Sequence, residues 1–344
     1  MQYNQFGDTG LVVSRLAFGA MTFGDQEFGG FKSNVSEAEA REMVACALDA
    51  GINFFDTADM YSAGQSEEIL GRALGKRRQD VVLATKAFFP TAPAVLHAGL
   101  SRRHILDACE ASLRRLGTDY VDLFLLHNYD SITPLEETAR ALDDLQRQGK
   151  TRYVGQCNFS AWQSEKLLAT QRQLGLAPII ATQVYYSLLG RDIEREIIPQ
   201  AREAGLGVMV WGPLAGGFLT GKYTRDTPAG GEGRRATFNF PPIDVEQGFE
   251  VVDKLTEIGA AHNATPAQAA IAWILSKPFV NTLLVGVSKL SQLESNLEGA
   301  KLNLSLDEVQ LLDSLTQPSK TYPHWIQWGH PVAARAIKEG WAPN

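Results

Sequence analysis

Short apolar runs alternate with longer segments of helical periodicity along the whole chain, and this alternation constrains the fold more than any other feature. Eight runs have the Val-, Ile-, Leu- and Phe-rich composition of buried strands: Leu16 to Gly19, Asn53 to Asp56, Val81 to Lys86, Val121 to His127, Tyr153 to Asn158, Ile179 to Gln183, Gly207 to Trp211 and Asn281 to Val285. Most of them end roughly 30 residues after the previous one, which is the length of one βαβ unit. The pattern predicts an α/β fold with a parallel sheet covered by helices.

Glycines and capping residues mark the ends of the predicted helices. Six glycines each follow a helical segment and precede a strand, where a left-handed residue ends a helix: Gly51, Gly75, Gly117, Gly149, Gly175 and Gly205. Four pairs fit a capping box at a helix start: Ser36 with Glu39, Ser160 with Gln163, Thr265 with Gln268, and Ser305 with Glu308. Thr133 before Pro134 fits an N-cap with proline at the first helical position. On the helix from Ser101 to Leu116, Arg114 and Arg115 are expected to face outward.

Eight such units with no linker between them predict one (β/α)8 TIM barrel, a single domain over residues 1–344. Residues 212–243 and 317–344 are expected to be long loops over the mouth formed by the carboxyl ends of the strands. The alternative is a doubly wound sheet. A dinucleotide-binding sheet of that kind carries GxGxxG in its first strand-to-helix turn, and no strand here is followed by that motif.

Composition excludes several classes of function. The 32 Lys and Arg residues against 39 Asp and Glu residues give a net charge of −7, which disfavours nucleic-acid and anionic-membrane partners. Cys46, Cys109 and Cys157 are widely spaced with no CxxC, so neither a disulfide framework nor a zinc site is expected. No signal peptide and no apolar run of about 18 residues is seen. We therefore expect a cytoplasmic protein without a membrane partner.

Polar residues end the apolar strands, and in a barrel these positions project into a common cavity. They are Asp56, Lys86, His127, Asn158 and Gln183, and Tyr61 follows Asp56 by one short turn. Lysine is almost never buried without a partner, so Lys86 is expected to pair with Asp56. A tyrosine beside Lys86 would gain stability as a phenolate, so its pKa is expected to fall from about 10 toward 7. Tyr61 could then act as a general acid at neutral pH.

Taken singly, each of these residues has a structural explanation. Asp56 could cap a turn, Lys86 could extend to solvent at the rim, His127 could be a hydrogen-bonded core residue, and Tyr61 could pack its ring. A metal centre is a weaker alternative, because no His-x-His or HExxH spacing supplies further ligands. The convergence of all four favours a catalytic site.

Seven segments together resemble the aldo-keto reductase superfamily, in the family's order and over nearly the whole chain. They are DTADMYSAGQSEEILGRAL, ATKAF, LFLLHNYD, GQCNFSAWQ, TQVYYSLLGR, WGPLAGGFLTGKY and GVSKLSQLESNLEGA. The similarity is greatest to the branch of bacterial and fungal reductases and potassium-channel β-subunits. It implies a catalytic tetrad of Asp56, Tyr61, Lys86 and His127 acting with NADPH. It also implies reversible reduction of an aldehyde or ketone, with Tyr61 donating the proton and His127 orienting the carbonyl.

The resemblance also implies which residues bind NADPH. Asn158 and Gln183 would hold the carboxamide and Trp211 would stack on the nicotinamide. The stretch GGFLTGK would wrap the pyrophosphate; it fails as a P-loop, because Tyr223 replaces the required Ser or Thr. A helix starting near Ser288 would present N–H groups to the 2′-phosphate. The implied set is Met21, Thr22, Asp56, Cys157, Asn158, Gln183, Trp211, Pro213, Leu214, Gly216, Gly217, Leu219, Lys222, Gly286, Ser288, Lys289, Gln292 and Asn296.

The sequence departs from the family at two positions. Cys157 stands where the family usually has serine, and Ser295 stands where glutamate is common. A thiol is a weak hydrogen-bond donor, so one carboxamide contact is expected to weaken, and one adenine contact is expected to be lost.

Two functions remain open at this stage. One is an NADPH-dependent carbonyl reductase, and the other is a regulatory NADPH-binding protein with slow turnover, like the channel β-subunits. The partner expected in the first case is a small-molecule carbonyl compound. Five aromatic residues are candidates for its pocket: Phe23, Phe89, Tyr129, Trp325 and Trp328.

Overall fold

Eight parallel strands close into a barrel in a computed structural model that describes residues 1–28, 30–227, 235 and 238–327. The barrel strands are β3 (Leu16–Gly19), β6 (Phe54–Asp56), β7 (Val82–Ala87), β8 (Val121–Leu126), β9 (Thr151–Cys157), β10 (Ala181–Tyr185), β11 (Gly207–Trp211) and β12 (Thr282–Gly286). They pair in chain order, and β12 pairs with β3 to close the ring. The predicted (β/α)8 TIM barrel is confirmed, and the doubly wound alternative is wrong.

Helices separate the strands and form the outer layer. They are α1 (Glu37–Asp49), α2 (Gln65–Leu74), α3 (Arg102–Leu116), α4 (Leu135–Arg147), α5 (Ala161–Gln173), α6 (Ile197–Glu203), α7 (Val245–Ala261), α8 (Pro266–Leu275), α9 (Leu290–Gly299), α10 (Leu306–Leu315) and the short α11 (His324–Gln327). Their apolar faces pack against outward-facing strand residues such as Phe55, Leu83 and Phe124 in the larger of two core clusters. Burial of these amphipathic stripes is what holds a helix layer on a parallel sheet.

A second core fills the barrel itself. Inward-facing side chains from successive strands meet there, among them Ala17, Phe54, Val82, Leu123 and Met209. An antiparallel hairpin of β1 (Tyr3–Gln5) and β2 (Val12–Ser14) covers the end of the barrel where the strands begin. This end is therefore filled with apolar side chains, and the polar residues are left to the opposite end.

The predicted helix ends hold with two exceptions. All four capping boxes form, at Ser36, Ser160, Thr265 and Ser305. Five of the six stop glycines are left-handed in the usual way; Gly75 has a positive φ of 46° but a ψ of −123°, because a 3₁₀ turn continues from α2. The prediction for Thr133 is wrong, since Pro134 itself is the N-cap of α4 and Leu135 is the first helical residue. The Thr133 hydroxyl instead donates to Asp130.

The connections after the strands are longest over one mouth of the barrel. The connection from β11 to α7 ends at Asp244 and contains a 3₁₀ turn at Ala215–Thr220. A small hairpin of β4 (Glu27–Phe28) and β5 (Phe31–Lys32) follows β3 on the same side. Residues 328–344 of the predicted C-terminal segment lie outside the described residues. No helix in the described part of the chain is both long and apolar enough to cross a membrane.

The hairpin that covers the bottom of the barrel depends on Phe6. Its side chain is fully buried, its ring lies 5.8 Å from that of Phe54, and it rests on the backbone of Gly207. We expect Phe6→Ala to lower the free energy of unfolding by about 3–5 kcal/mol, because the cavity it leaves cannot collapse between two rigid elements. Equilibrium urea denaturation measures this. The matched control is Val12→Ala on the same hairpin, where the side chain is 55% exposed and the expected change is below about 0.5 kcal/mol. Equal losses of unfolding free energy in the two variants would contradict this role of Phe6.

Candidate active site

Strand alternation brings the predicted polar residues to one mouth of the barrel. Residues two apart on a strand face the same side, so Asp56 follows inward-facing Phe54, and Lys86 follows Val82 and Ala84. The same rule turns His127, Cys157, Gln183 and Trp211 inward at the ends of β8, β9, β10 and β11. These side chains come from six successive strands and meet above the apolar interior.

Lys86 and Asp56 form a buried ion pair at the centre of this mouth. The Lys86 Nζ lies 2.6 Å from Asp56 Oδ1 and also donates to the Thr57 carbonyl at 2.7 Å. The Lys86 side chain has no exposed surface. Burial lowers the pKa of Lys86, but the Asp56 carboxylate and the Tyr61 phenol raise it more, so the net shift is upward. Burial raises the pKa of Asp56, against the opposing effect of Lys86. The predicted pair is therefore present, and each charge depends on the other.

Tyr61 sits directly on this pair. Lys86 Nζ donates to the Tyr61 hydroxyl oxygen at 3.3 Å and lies 4.8 Å from the centre of the tyrosine ring. The expected fall in the pKa of Tyr61 is wrong for the structure described. Burial raises the pKa of Tyr61 more than the Lys86 cation lowers it, so the phenol is protonated at neutral pH.

His127 lies beside Tyr61 at the same mouth. Its ring makes an edge contact with Tyr61, with 5.8 Å between centres, and another with Phe89 at 5.0 Å. Burial, and then the Lys86 cation, lower the pKa of His127 well below its usual value, so the imidazole is neutral near pH 7. Its Nδ1 is buried and has no hydrogen-bond partner among the described groups. A neutral imidazole at this place can donate or accept one hydrogen bond at the mouth of the barrel.

The amides beside the tetrad are held in fixed positions by protein groups. Gln183 Nε2 donates to Asp56 Oδ2 at 2.9 Å, and Asn158 Nδ2 donates to the His127 carbonyl at 3.1 Å. Asn158 Oδ1 accepts from the Trp211 indole N–H at 3.1 Å. Cys157 lies fully buried next to them. The predicted carboxamide and nicotinamide residues are thus adjacent, on β9, β10 and β11.

The loop after β11 forms a glycine cradle. Gly216 and Gly217 are left-handed, and a Cβ on Gly216 would meet the Phe240 carbonyl oxygen at 2.6 Å. Only glycine allows backbone to pass this closely. Lys222 is exposed, and its Nζ lies 3.2 Å from the position that a Cβ on Gly217 would occupy. The other predicted residues of this stretch line the same turn: Pro213, Leu214 and Leu219.

The remaining predicted cofactor residues lie on neighbouring loops of the same mouth. Met21 and Thr22 follow β3, and the Thr22 hydroxyl donates to the Val287 carbonyl at 2.6 Å. Gly286 ends β12, and Ser288 and Lys289 lead into α9, which begins at Leu290 with no side-chain cap. Gln292 and Asn296 lie on that helix, and the Ser288 N–H donates to Gln292 Oε1 at 2.9 Å. No side chain therefore caps the first turn of α9, and its role in binding an anion stays a prediction.

The structure places the five predicted substrate residues in different surroundings. Phe89 contacts His127, and Tyr129 packs against Phe159 and Trp162 at the same mouth. Phe23 is fully buried and packs on Phe18 in the outer core, so its prediction as pocket lining is wrong. Trp325 is half-exposed and contacts Tyr322, and its role stays a prediction. Trp328 lies outside the described residues.

Sequence reasoning missed buried charges around the site. Arg235 is buried and donates to the carbonyls of Ala215 and Pro241, which ties the glycine cradle to the rest of its loop. Glu67 is fully buried behind β7, where it accepts from Thr85 at 2.5 Å and from Arg115 at 2.6 Å. The expectation that Arg115 faces outward is therefore wrong. Helix periodicity gave no signal for these pairings, because each depends on a residue from a distant segment.

Asp59 is the second missed carboxyl group behind the site. It is buried, and neither of its carboxyl oxygens has a hydrogen-bond partner among the described groups. Burial, and then the Glu67 carboxylate, raise the pKa of Asp59 well above its usual value. Within the described part of the chain, no three His, Cys, Asp or Glu side chains lie so that they could hold a metal ion.

Known proteins are similar to this chain along nearly its whole length. A family model described as the Aldo/keto reductase family matches residues 15–317. The chain is 36% identical over 332 residues to an Arabidopsis thaliana protein named "Probable voltage-gated potassium channel subunit beta", covering 94% of this chain and 98% of that one. It is 34% identical over 344 residues to versiconal hemiacetal acetate reductase of Aspergillus parasiticus, covering 94% and 99%. It is also 34% identical over 310 residues to aldo-keto reductase YhdN of Bacillus subtilis, covering 88% and 90%.

The burial of neutral His127 gives stability a pH dependence. A group whose pKa is lowered by folding stabilises the protein fully above its unfolded-state pKa of about 6.5 and loses that stabilisation as the pH falls below it. We expect the free energy of unfolding of the wild type, relative to His127→Gln, to fall between about pH 7 and pH 5, by at most about 1.4 kcal/mol per pH unit. Urea denaturation at a series of pH values measures this. The control is His97→Gln, because His97 is exposed. It measures how the same substitution changes the free energy of unfolding with pH when the histidine is not buried. A wild-type to His127→Gln difference that stays constant with pH would refute the prediction.

Proposed function

Since the chain belongs to the aldo/keto reductase family, whose members are oxidoreductases that generally use nicotinamide cofactors, we propose that it reduces an aldehyde or ketone to the alcohol with NADPH. The reaction would run in reverse on the corresponding alcohol. The observation that carries the proposal is the contact of Tyr61 with a buried Lys86–Asp56 pair at the barrel mouth. The family resemblance read from the sequence motifs is confirmed.

Tyr61 is the proposed general acid. Lys86 donates to the phenolic oxygen, so the ammonium cannot take the phenol's own proton, and that proton goes to the oxygen of the carbonyl compound. Because the pKa of Tyr61 is raised, the phenol is protonated at neutral pH and has a proton to donate. Once the proton has left, the phenolate faces the Lys86 cation, which stabilises it in a site of low dielectric constant. Asp56 keeps Lys86 charged throughout.

His127 is proposed to orient the substrate. Its neutral ring can donate one hydrogen bond to the carbonyl oxygen without competing with Tyr61 for the proton transfer. The edge contact between the two rings sets their separation. Two donors that converge on one oxygen fix a carbonyl in the position from which the proton is received.

The residues around the tetrad fit a nicotinamide dinucleotide. Reduced nicotinamide, when bound, supplies the hydride for the carbonyl carbon. Trp211, Asn158 and Gln183 would hold the ring and its carboxamide, and the glycine cradle at Gly216 and Gly217 with Lys222 would take the pyrophosphate. Lys289 and the uncapped start of α9 would take the 2′-phosphate, which supports NADPH over NADH.

The regulatory alternative also keeps the tetrad. The Arabidopsis relative is named as a potassium channel subunit beta, so similarity alone does not separate the two functions. Steady oxidation of NADPH with a panel of carbonyl compounds supports the enzyme. Tight NADPH binding without turnover on any member of that panel supports the regulator.

The acid role of Tyr61 predicts a specific kinetic loss. We expect Tyr61→Phe to lower kcat for carbonyl reduction by about 10² or more, since general acid catalysis contributes on that scale. The Kd for NADPH, from quenching of protein fluorescence, should change little. Tyr120→Phe is the matched control: it makes the same change beside the start of β8, at the opposite end of the barrel. Near-normal turnover by Tyr61→Phe would remove Tyr61 from this role.

The 2′-phosphate assignment predicts a change in cofactor preference. We expect Lys289→Glu to raise the KM for NADPH roughly five- to tenfold and to leave the KM for NADH nearly unchanged, because only NADPH carries the 2′-phosphate. Lys301→Glu is the control, since it makes the same charge reversal just beyond the other end of α9. Equal effects on the two cofactors would rule out a 2′-phosphate contact at Lys289.

A further inference from the structure

The turn that carries Tyr61 has an unusual backbone. Ser62 has φ 51° and ψ 41°, Ala63 has φ 54° and ψ 34°, and Gly64 has φ 93°. Three successive left-handed residues, two of them with a Cβ, are unfavourable in an L-polypeptide. Such a conformation persists only where the surrounding structure holds it in place. The turn leads directly into α2, so its conformation decides where Tyr61 lies relative to Lys86.

One side of the turn is held by the Ser62 hydroxyl. Ser62 is fully buried, its Oγ accepts from the Gln26 N–H at 2.9 Å, and it lies 3.3 Å from the Gln26 carbonyl oxygen, to which it donates. Next to it, the Asp25 N–H donates to Gln65 Oε1 at 3.0 Å. Gly24 permits this approach, because a Cβ there would stand 2.4 Å from Ser62 Oγ.

The other side of the turn is held by packing. The Arg115 side chain lies against Gly64, where a Cβ would meet its Cδ at 2.7 Å, and Glu67 holds the guanidinium. This contact blocks the turn from moving toward α3. The directional contacts lie on the opposite side: the hydrogen bonds of Ser62 to Gln26 and to Gln65, and the bond from the Asp25 N–H to Gln65 Oε1.

We infer that Ser62 is a positioning residue for catalysis: its hydroxyl fixes the left-handed turn on the loop after β3, and so holds the Tyr61 phenol on Lys86. The inference rests on the proposed function, because it assigns Ser62 a role through the acid Tyr61. The Ser62 hydroxyl bonds the main chain of Gln26 and also donates to Gln65 Oε1 at 3.3 Å, and it contacts no member of the tetrad in these bonds. Its effect on the reaction passes through the position of Tyr61.

Glycine variants separate this role from a loss of folding. Ser62→Gly removes the hydroxyl and also relieves the left-handed strain, so it should unfold no more easily than the wild type. Ala63→Gly relieves the same strain at the next residue, which is exposed, and removes no side-chain hydrogen bond. We expect Ser62→Gly to lower kcat about tenfold or more, the scale on which a small misplacement of a catalytic group acts, and Ala63→Gly to stay within about twofold. Ser62→Asn, which tolerates the left-handed region and retains an acceptor, should recover part of the loss.

The decisive measurement is the double variant. If Ser62 acts through Tyr61, then adding Ser62→Gly to Tyr61→Phe should lower kcat by less than about twofold, because the group it positions is already gone. A full additional tenfold loss in the double variant would overturn the inference, as would an unchanged kcat in Ser62→Gly or an equal loss in Ala63→Gly. A different result would refute the proposed function itself: normal turnover by the single variant Tyr61→Phe.

Discussion

The ion pair between Lys86 and Asp56 is the interaction on which the rest of the site depends. Two charges this deeply buried are stable only together, since removal of either leaves the other without solvent or partner. Each also fixes a neighbour: Lys86 contacts Tyr61 and Asp56 accepts from Gln183. One contact thereby sets the position of the proposed acid, keeps the cation charged, and holds the Gln183 amide beside the pair.

The barrel makes this pair possible by dividing its interior into two zones. The hairpin of β1 and β2, together with inward-facing residues such as Phe54 and Met209, fills the end where the strands begin with apolar side chains. Alternation along β6 and β7 then places Asp56 and Lys86 at inward positions near the ends of those strands, above the apolar residues. An ionic site can form there because the apolar core below it already supplies most of the stability of the fold.

Several departures from the local rules of protein structure lie around this site. Ser62 and Ala63 are left-handed, the Asp59 carboxyl has no hydrogen-bond partner within the described residues, and the same holds for His127 Nδ1. Each feature costs stability, and each lies within a few residues of the tetrad in the chain or in contact with it. Deviations that collect in this way are typical of functional sites, where position and charge are set by the chemistry and the remaining structure compensates.

The sequence by itself determined the barrel, the approximate ends of its strands and the pairing of Lys86 with Asp56, because periodicity, helix caps and the limits on burying a lysine act locally or at fixed spacing. The tertiary structure decided what those signals do not contain. Phe23 proved to be core, Arg115 turned inward to Glu67, and the pKa of Tyr61 rose where a neighbouring cation alone predicted a fall. These outcomes depend on how many distant atoms surround a side chain. Desolvation and pairing are sums over the folded molecule, and no spacing along the chain records them.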